Sequence, residues 1–144
     1  MLNNTLSANS AIYGGGINNE TDKLHLYNIL VAYSPSGGDC RGRVDTNDHN
    51  LIEDTGGDAC DLTDSAGGSL IGVDPLLGPL ADNGGETKTH ALLPGSPAID
   101  AGNDGTCLAT DQRGIPRPQG AACDIGAFES PRFIFLPVIQ RLAH

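Results

Sequence analysis

Apolar positions in this chain fall into short runs separated by turn-forming residues. Between Leu24 and Tyr27 apolar and polar residues alternate, and from Ile29 to Ala32 the run is continuously apolar. Alternation is typical of a strand with one buried face, whereas a short continuous run indicates a strand covered on both faces. The pattern therefore predicts an all-β chain built from short strands.

One short phrase recurs in the first part of the chain. It begins at Asn4, returns at Asn28 and reappears more weakly at Asn50, which gives spacings of 24 and 22 residues. A repeat of this length predicts a solenoid, in which each coil buries its apolar face against the next coil. Asparagines at one position of successive coils are expected to form a hydrogen-bonded ladder, because coils repeat at the strand spacing. Ligand binding by these asparagines is the alternative.

From residue 74 the pattern changes to short phrases rich in proline and glycine. Four prolines between Pro75 and Pro97 argue against long helices and central strands. We therefore predict three segments: solenoid coils with a disulfide-pinned loop at 1–73, an irregular capping region at 74–130, and an apolar tail at 131–144. The residues expected to cover the open end of the stack are Leu76, Leu77, Leu80, Leu92, Leu93 and Ile99.

Composition narrows the class of protein. Only 38% of the residues are apolar and there is no Trp, so we expect a thin core. The chain carries 8 basic and 18 acidic residues, a net charge of −10, and its basic residues form no cluster. Nucleic acid is therefore excluded as an expected partner.

Four cysteines allow three disulfide pairings. We favour Cys40 with Cys60 and Cys107 with Cys123, because each of these pairs closes a single local loop. No pair has the C-x-x-C spacing of a zinc or redox site. Disulfides indicate an oxidising compartment, yet the first residues do not have the pattern of a signal peptide. We therefore expect a fragment of a longer protein that is secreted or displayed at the cell surface.

The motifs of the second half resemble a known family. Asp74-Pro-Leu-Leu-Gly-Pro-Leu-Ala-Asp-Asn-Gly-Gly85, Leu92-Leu-Pro-Gly-Ser-Pro-Ala-Ile-Asp-Ala-Gly102, Asp111-Gln-Arg-Gly114 and Cys123-Asp-Ile-Gly-Ala-Phe-Glu129 are similar to the choice-of-anchor Q domain. The resemblance implies the C-terminal part of a bacterial right-handed parallel β-helix of the pectin-lyase-like type. It also implies that further coils upstream are the partner of this chain, with surface glycans as a second partner class.

The tail does not match a known anchor. Its apolar part, from Phe133 to Ile139, is too short to span a bilayer, and it contains no Leu-Pro-x-Thr-Gly sorting signal. We predict no membrane span, and interpret the tail as a last strand or as a segment that docks on the β-helix.

Charged residues of the second half form the strongest polar constellation. We predict that they cap turns and bind one another, and so lock the capping region together. They are Asp100, Asp111, Arg113, Arg117, Asp124 and Glu129. Calcium binding by Asp100, Asp111 and Asp124 is an alternative, as is a site built from the carboxylates at 54, 58, 61 and 64. No other cofactor is indicated.

The sequence does not assemble a catalytic site. β-Elimination needs a charge stabiliser and a base, and glycoside hydrolysis needs two placed carboxylates. His90 is a candidate base, but a single His beside an apolar pair favours a structural role. The leading hypothesis is a non-catalytic structural module with an adhesive surface. The alternatives are the accessory end of a polysaccharide lyase or hydrolase, and a calcium-stabilised carbohydrate-binding domain.

Overall fold

The computed structural model describes residues 1–21, 23–54, 60, 62 and 66–132. Within them the chain is all-β, as predicted, and contains one short 3-10 turn at Ala66–Gly68 but no α-helix. The described strands are β1 (Thr5–Ser7), β2 (Ile17–Asn19), β3 (His25–Tyr27), β4 (Leu30–Ala32), β5 (Cys40–Gly42), β6 (Thr46–Asp48), β7 (Leu51–Ile52), β8 (Leu70–Ile71), β9 (Leu77–Ala81) and β10 (Thr89–Leu92).

Parallel pairing dominates the first half. One sheet has the order β1-β4-β7-β8, and two further parallel pairs join β2 to β5 and β3 to β6. Thr5 is aligned with Leu30, and Leu30 is aligned with Leu51. A single residue, Leu2, forms a parallel bridge to Tyr27. β9 and β10 differ, because they form an antiparallel hairpin with an irregular register between His90 and Leu92.

β4 is buried on both faces, as its apolar run predicts. Val31 packs into one cluster with Leu26, Ile29 and Ile52, which lies between the parallel sheets. Leu30 and Ala32 belong to a second cluster on the other face of the four-stranded sheet, together with Leu51, Leu92, Ala98, Ile125 and Phe128. Two thin apolar layers therefore share one sheet, and the second layer exists only because residues 74–130 cover it.

This placement differs from the expected one. Residues 74–130 were expected to cover the end of the stack, but they pack on the outer face of the four-stranded sheet. Leu77, Leu92 and Ile99 contribute to the second cluster. The other three residues of the predicted cover, Leu76, Leu80 and Leu93, are exposed. The hairpin explains the division, because side chains of an antiparallel strand alternate between its two faces.

The register also corrects the asparagine ladder. Asn3 and Asn28 donate their backbone N–H groups to equivalent carbonyls, those of Tyr27 and Asp48, so they occupy equivalent positions, two residues before β1 and β4. Asn4 is equivalent instead to Ile29 and Asn50, because their carbonyls accept from the first residues of β4, β7 and β8. The predicted set of Asn4, Asn28 and Asn50 therefore mixes two neighbouring positions.

Two of the sequence predictions concern residues that the structure does not describe. The carboxylates at 58, 61 and 64 and the tail from residue 133 lie outside the described residues. Among the described residues, none belongs to a helix with the length and apolar character that crossing a membrane requires.

Candidate functional site

The predicted charged constellation is brought together beside the second apolar cluster. Asp111 lies at the centre of one half of this constellation, and it is 6% exposed. Its carboxylate accepts hydrogen bonds from the backbone N–H groups of Arg113, Ile115 and Glu129, at 2.8, 3.0 and 3.0 Å. It also accepts from Nε of the Arg113 side chain at 2.8 Å. One carboxylate thus fixes the turn that follows it and the distant residue Glu129.

Arg113 extends this contact to two other parts of the chain. Its guanidinium donates to the carbonyl oxygens of Asn83 and Glu129. The same group lies over the ring of Phe128, with 3.6 Å between the guanidinium carbon and the ring centroid. Because Phe128 is part of the second apolar cluster, Arg113 connects the polar network to the core.

Arg117 and Glu129 form the second half of the network. The Arg117 side chain is 1% exposed, and it donates to the carbonyl oxygens of Asp124 and Gly126 at 2.9 and 2.8 Å. It also pairs with Glu129, at 3.1 Å between Nη1 and Oε2. The Glu129 carboxylate in turn accepts from the backbone N–H groups of Gln119 and Asp124. A buried charge pair is thus surrounded by hydrogen bonds, which offsets its desolvation.

Asp124 and Asp100 complete the constellation, but in different ways. Asp124 is buried and accepts from the backbone N–H groups of Asp100 and Ser130 at 2.8 and 2.6 Å. Asp100 is exposed, and its carboxylate accepts from the backbone N–H of Ala122 at 3.3 Å. All six predicted residues therefore participate in contacts that hold segment 100–130 together.

Burial and hydrogen bonding shift these acids in opposite directions. Burial alone would raise the pKa of Asp111, but the hydrogen bonds from the Glu129 backbone and from Arg113 outweigh it and hold the pKa below its ordinary value. Burial raises the pKa of Asp124 and the pKa of Glu129 above their ordinary values. Burial also lowers the pKa of Arg117. Desolvation thus determines the direction of the pKa shift at Asp124, Glu129 and Arg117, whereas hydrogen bonding determines it at Asp111.

The arrangement does not gather the acids around a metal. Across the described residues, no group of three or more His, Cys, Asp or Glu side chains is placed to hold a metal ion. Asp111 and Asp124 direct their oxygens to backbone N–H groups instead. The candidate base His90 has a structural contact, since its Nδ1 lies 2.7 Å from the carbonyl oxygen of Gly78.

Two asparagines bind the segment of residues 103–108, which contains Cys107. The Asn28 side chain accepts from the backbone N–H of Asn103 at 2.7 Å and donates to the carbonyl of the same residue at 3.2 Å. Asn3 accepts from the backbone N–H of Leu108 at 3.0 Å. Both asparagines have a left-handed backbone, with φ of 53° and 45°, a conformation in which Asn is enriched. Their side chains thereby face the loop.

Asn50 has a different role from Asn28. Its Oδ1 accepts from the backbone N–H of Ile29 at 2.8 Å, and its Nδ2 donates to the carbonyl of Leu26 at 2.9 Å. Asn50, which precedes β7, thus binds the turn between β3 and β4 from the inside. Asn4 is exposed and donates to the carbonyl of Leu2 at 2.9 Å. Sequence reasoning missed Asn3 and Asn103, although Asn3 adjoins Asn4 and the doubled Asn was visible.

The two disulfides join the predicted pairs. Cys40 is bonded to Cys60, and both lie in the first apolar cluster. Cys107 is bonded to Cys123, which fastens the segment of residues 103–108 that Asn3 and Asn28 hold. The second disulfide therefore lies between the asparagines and the buried charge network, and it connects them covalently.

A cleft of about 520 Å³ lies where the residues around β1 meet the loops of residues 108–117. One wall contains Leu2, Asn4 and Thr5, and the other contains Leu108, Thr110, Asp111 and Gln112. Arg117 also lines the cleft, and its buried Nε–H has no hydrogen-bond partner among the described residues. No local sequence pattern indicates this cleft, because its walls are more than a hundred residues apart in the chain.

No protein-family model, no curated protein and no solved structure matches this chain. The function of this chain is therefore inferred from its own contacts.

Proposed function

We propose that residues 1–73 are end coils of a right-handed parallel β-helix and that residues 74–130 clamp these coils from one side. Support comes from three sets of parallel strand pairs, in which β1, β2 and β3 pair with β4, β5 and β6. The coil that begins at Leu2 is followed by equivalent positions at Tyr27 and Asp48. The same order on each sheet is what stacked coils require.

The function that this geometry favours is structural: a non-catalytic module that stabilises the end of a longer β-helix stalk. The observation that carries this proposal is the use of the buried acids. Asp111, Asp124 and Glu129 each accept hydrogen bonds from the chain's own backbone, so they hold loops in place. Asp111 lines the cleft beside Arg117, but both of its oxygens already accept hydrogen bonds from Arg113, Ile115 and Glu129. A catalytic pair would need carboxyl oxygens that are open to a substrate, and the Glu129 side chain is fully buried.

Location and partners belong to the same proposal. Two disulfides within one small module favour an oxidising compartment, and we infer a secreted or cell-surface protein. Further coils stacked on β1 are the proposed partner, and an adhesive surface for glycans is a second role. Similarity of the motifs between Asp74 and Glu129 to the choice-of-anchor Q domain supports this assignment.

Deleting residues 74–130 tests the structural role. The deletion would uncover Leu30, Ala32 and Leu51, which pack against that segment. We expect the shortened chain to aggregate, as measured by size-exclusion chromatography with light scattering. A soluble, monomeric product with unchanged far-UV circular dichroism per residue would contradict the proposal.

A second measurement addresses catalysis directly. Incubation of the intact protein with polygalacturonate should produce no unsaturated uronate product, which absorbs in the near ultraviolet. Product formation that is lost in Asp111→Asn or Glu129→Gln would instead identify the charged network as part of an active site.

A further inference from the structure

The buried charges of the polar network do not cancel one another. Arg113 pairs with Asp111 at 2.7 Å, and Arg117 pairs with Glu129 at 3.1 Å. Within the described ranges neither guanidinium forms an ion pair with the carboxylate of Asp124. Arg117 binds the backbone carbonyl of Asp124 instead. Among the described residues, Asp124 is therefore the buried acid of the network that has no cationic partner.

The carboxylate of Asp124 depends on hydrogen bonds from neutral groups. It is buried, and it accepts from the backbone N–H groups of Asp100 and Ser130 at 2.8 and 2.6 Å. Asp111, by contrast, also accepts from the guanidinium of Arg113. Burial disfavours the charged form of an acid, and a bonded cation offsets this effect more fully than neutral donors do. Burial accordingly raises the pKa of Asp124, whereas the pKa of Asp111 stays below its ordinary value.

A small cavity connects this carboxylate with the surface. Its volume is about 190 Å³, and Asp124 lines it together with Asp100, Ser130 and Arg132. Asp100 and Arg132 are exposed, so the cavity gives protons from solvent a route to the buried acid.

Charged groups from several segments surround Asp124. The exposed carboxylate of Asp100 opposes its negative charge. Glu129 accepts the N–H of Asp124, so a second carboxylate lies against the same backbone. The titratable and charged groups around Asp124 are Asp100, Asp104, Arg117, Glu129 and Arg132, with Asp111 and Arg113 next to Glu129.

We propose that Asp124 is a proton-binding site that makes residues 74–130 hold the coils more tightly in mildly acidic than in neutral surroundings. As the pH falls, the carboxylate takes up a proton from solvent through the cavity. The network then contains two carboxylates and two guanidinium groups, and its buried charges balance. The inference rests on the proposed function of residues 74–130 as a clamp, and it adds the condition under which the clamp is strongest.

Proton linkage gives the direction of the effect. A carboxyl group whose pKa is raised by folding binds more proton in the folded state than in the unfolded state. Its stabilising contribution is therefore complete below the ordinary aspartate pKa of about 3.9 and is lost as the pH rises through the folded value. Asp111 acts in the opposite direction, because its folded pKa is lowered. The contribution of Asp124 is isolated by comparing variants at each pH.

Urea unfolding of the full chain and of Asp124→Asn between about pH 7 and about pH 4 tests the proposal. Asparagine has a similar shape but cannot titrate. We expect the unmodified protein to gain stability relative to the variant as the pH falls. The ratio of the two unfolding constants should change by up to about tenfold per pH unit where Asp124 titrates.

Hydrogen exchange reports on the contact between clamp and coils. The N–H of Gly126 donates to the carbonyl of Asn28 at 2.9 Å, two residues after Asp124. Its protection factor, corrected for the intrinsic pH dependence of exchange, should rise on acidification in the unmodified protein but not in Asp124→Asn.

Two further measurements keep the test decisive if Asp124→Asn does not fold. Carbon-13 NMR of the Asp124 carboxyl group in the unmodified protein should give a titration midpoint above about 3.9. Asp104→Asn is the matched control, because Asp104 is an exposed acid that accepts the N–H of Cys123, the residue before Asp124. This variant should respond to acid like the unmodified protein.

Three results would overturn the inference: equal acid responses of the unmodified protein and Asp124→Asn, a carboxyl midpoint at or below the ordinary value, or an equal loss of the response in Asp104→Asn. A response that persists in Asp124→Asn and disappears in Glu129→Gln would assign the proton to Glu129 instead. The deletion of residues 74–130 tests the clamp separately. Aggregation of the deletion product together with a missing acid response would reject only the inference.

Discussion

Replacing Arg117 by alanine is the sharpest test of the buried charge network. The side chain makes three hydrogen bonds, to the carbonyls of Asp124 and Gly126 and to the Glu129 carboxylate, and it is 1% exposed. Its removal leaves Glu129 as a buried charge without its cationic partner. Breaking such a buried pair costs about 3–5 kcal/mol, so we expect the free energy of unfolding to fall by about 4 kcal/mol.

The expected loss is a large fraction of the total free energy of unfolding of a small domain. Small domains unfold with about 5–15 kcal/mol, so the variant should be close to the limit of stability at 37 °C. Urea unfolding followed by far-UV circular dichroism measures the change, with the slope against urea concentration checked for constancy. If Arg117→Ala does not fold, Arg117→Lys keeps a positive charge beside Glu129 but has fewer donors for the Asp124 and Gly126 carbonyls, and it should give a smaller loss.

A matched control separates burial from charge. Arg43 forms an ion pair with Asp45 at 3.4 Å, but its side chain is 78% exposed. Arg43→Ala should change the free energy of unfolding by about 0–1 kcal/mol, since solvent screens exposed pairs. The reasoning is refuted if Arg117→Ala and Arg43→Ala give equal losses, because burial would then have no influence.

Three further predictions follow from contacts described above. Asn28→Ala should lower the free energy of unfolding by about 2 kcal/mol, because the buried Asn28 side chain binds both the N–H and the carbonyl of the half-buried Asn103 backbone, whereas Asn4→Ala at an exposed site should lower it by well under about 1 kcal/mol; urea unfolding of both variants compares them. Asp111 has a lowered pKa in the folded state, so its contribution is present above the ordinary aspartate pKa and is lost as the pH falls through the folded value. Thermal unfolding between about pH 5 and pH 2 should therefore decline less steeply in Asp111→Asn, and an identical decline would exclude this role. Opening the disulfide between Cys107 and Cys123, which are 16 residues apart, by a double serine substitution should cost about 3 kcal/mol. Unchanged exchange of the loop amides in that variant would show that the asparagines alone hold the loop.

Sequence patterns predicted the first half of the fold better than the second. The continuous apolar run at β4 predicted a strand buried on both faces. Such a strand needs apolar residues at consecutive positions, and this pattern is visible in the sequence itself. The sequence pattern was less informative about which asparagines align with one another. Asn3 and Asn4 are adjacent, and choosing between them needs the length of each turn, which the sequence pattern does not fix.

The location of the second half depended on information that no local pattern contains. Its leucines indicate an apolar surface to be covered, but both the end and the side of a stack offer such a surface. The irregular register of the hairpin between His90 and Leu92 decides which leucines face inward. The structure brings the six charged residues into one hydrogen-bonded network, but their individual partners could not be deduced from the sequence, because Arg113 and Arg117 also bind backbone carbonyl groups.

The asparagines and arginines described above bind mainly backbone N–H and carbonyl groups of the segments that they contact. Asn28 binds both polar groups of the Asn103 peptide backbone, and Arg117 binds two carbonyls. Mutational drift in the bound loops should therefore be well tolerated, provided that loop length is preserved. A randomised library at Leu108, which is exposed and which Asn3 binds through its backbone N–H, should retain folding far more often than a library at the anchoring asparagines. Leu108 is therefore a practical position for changing the surface of this segment.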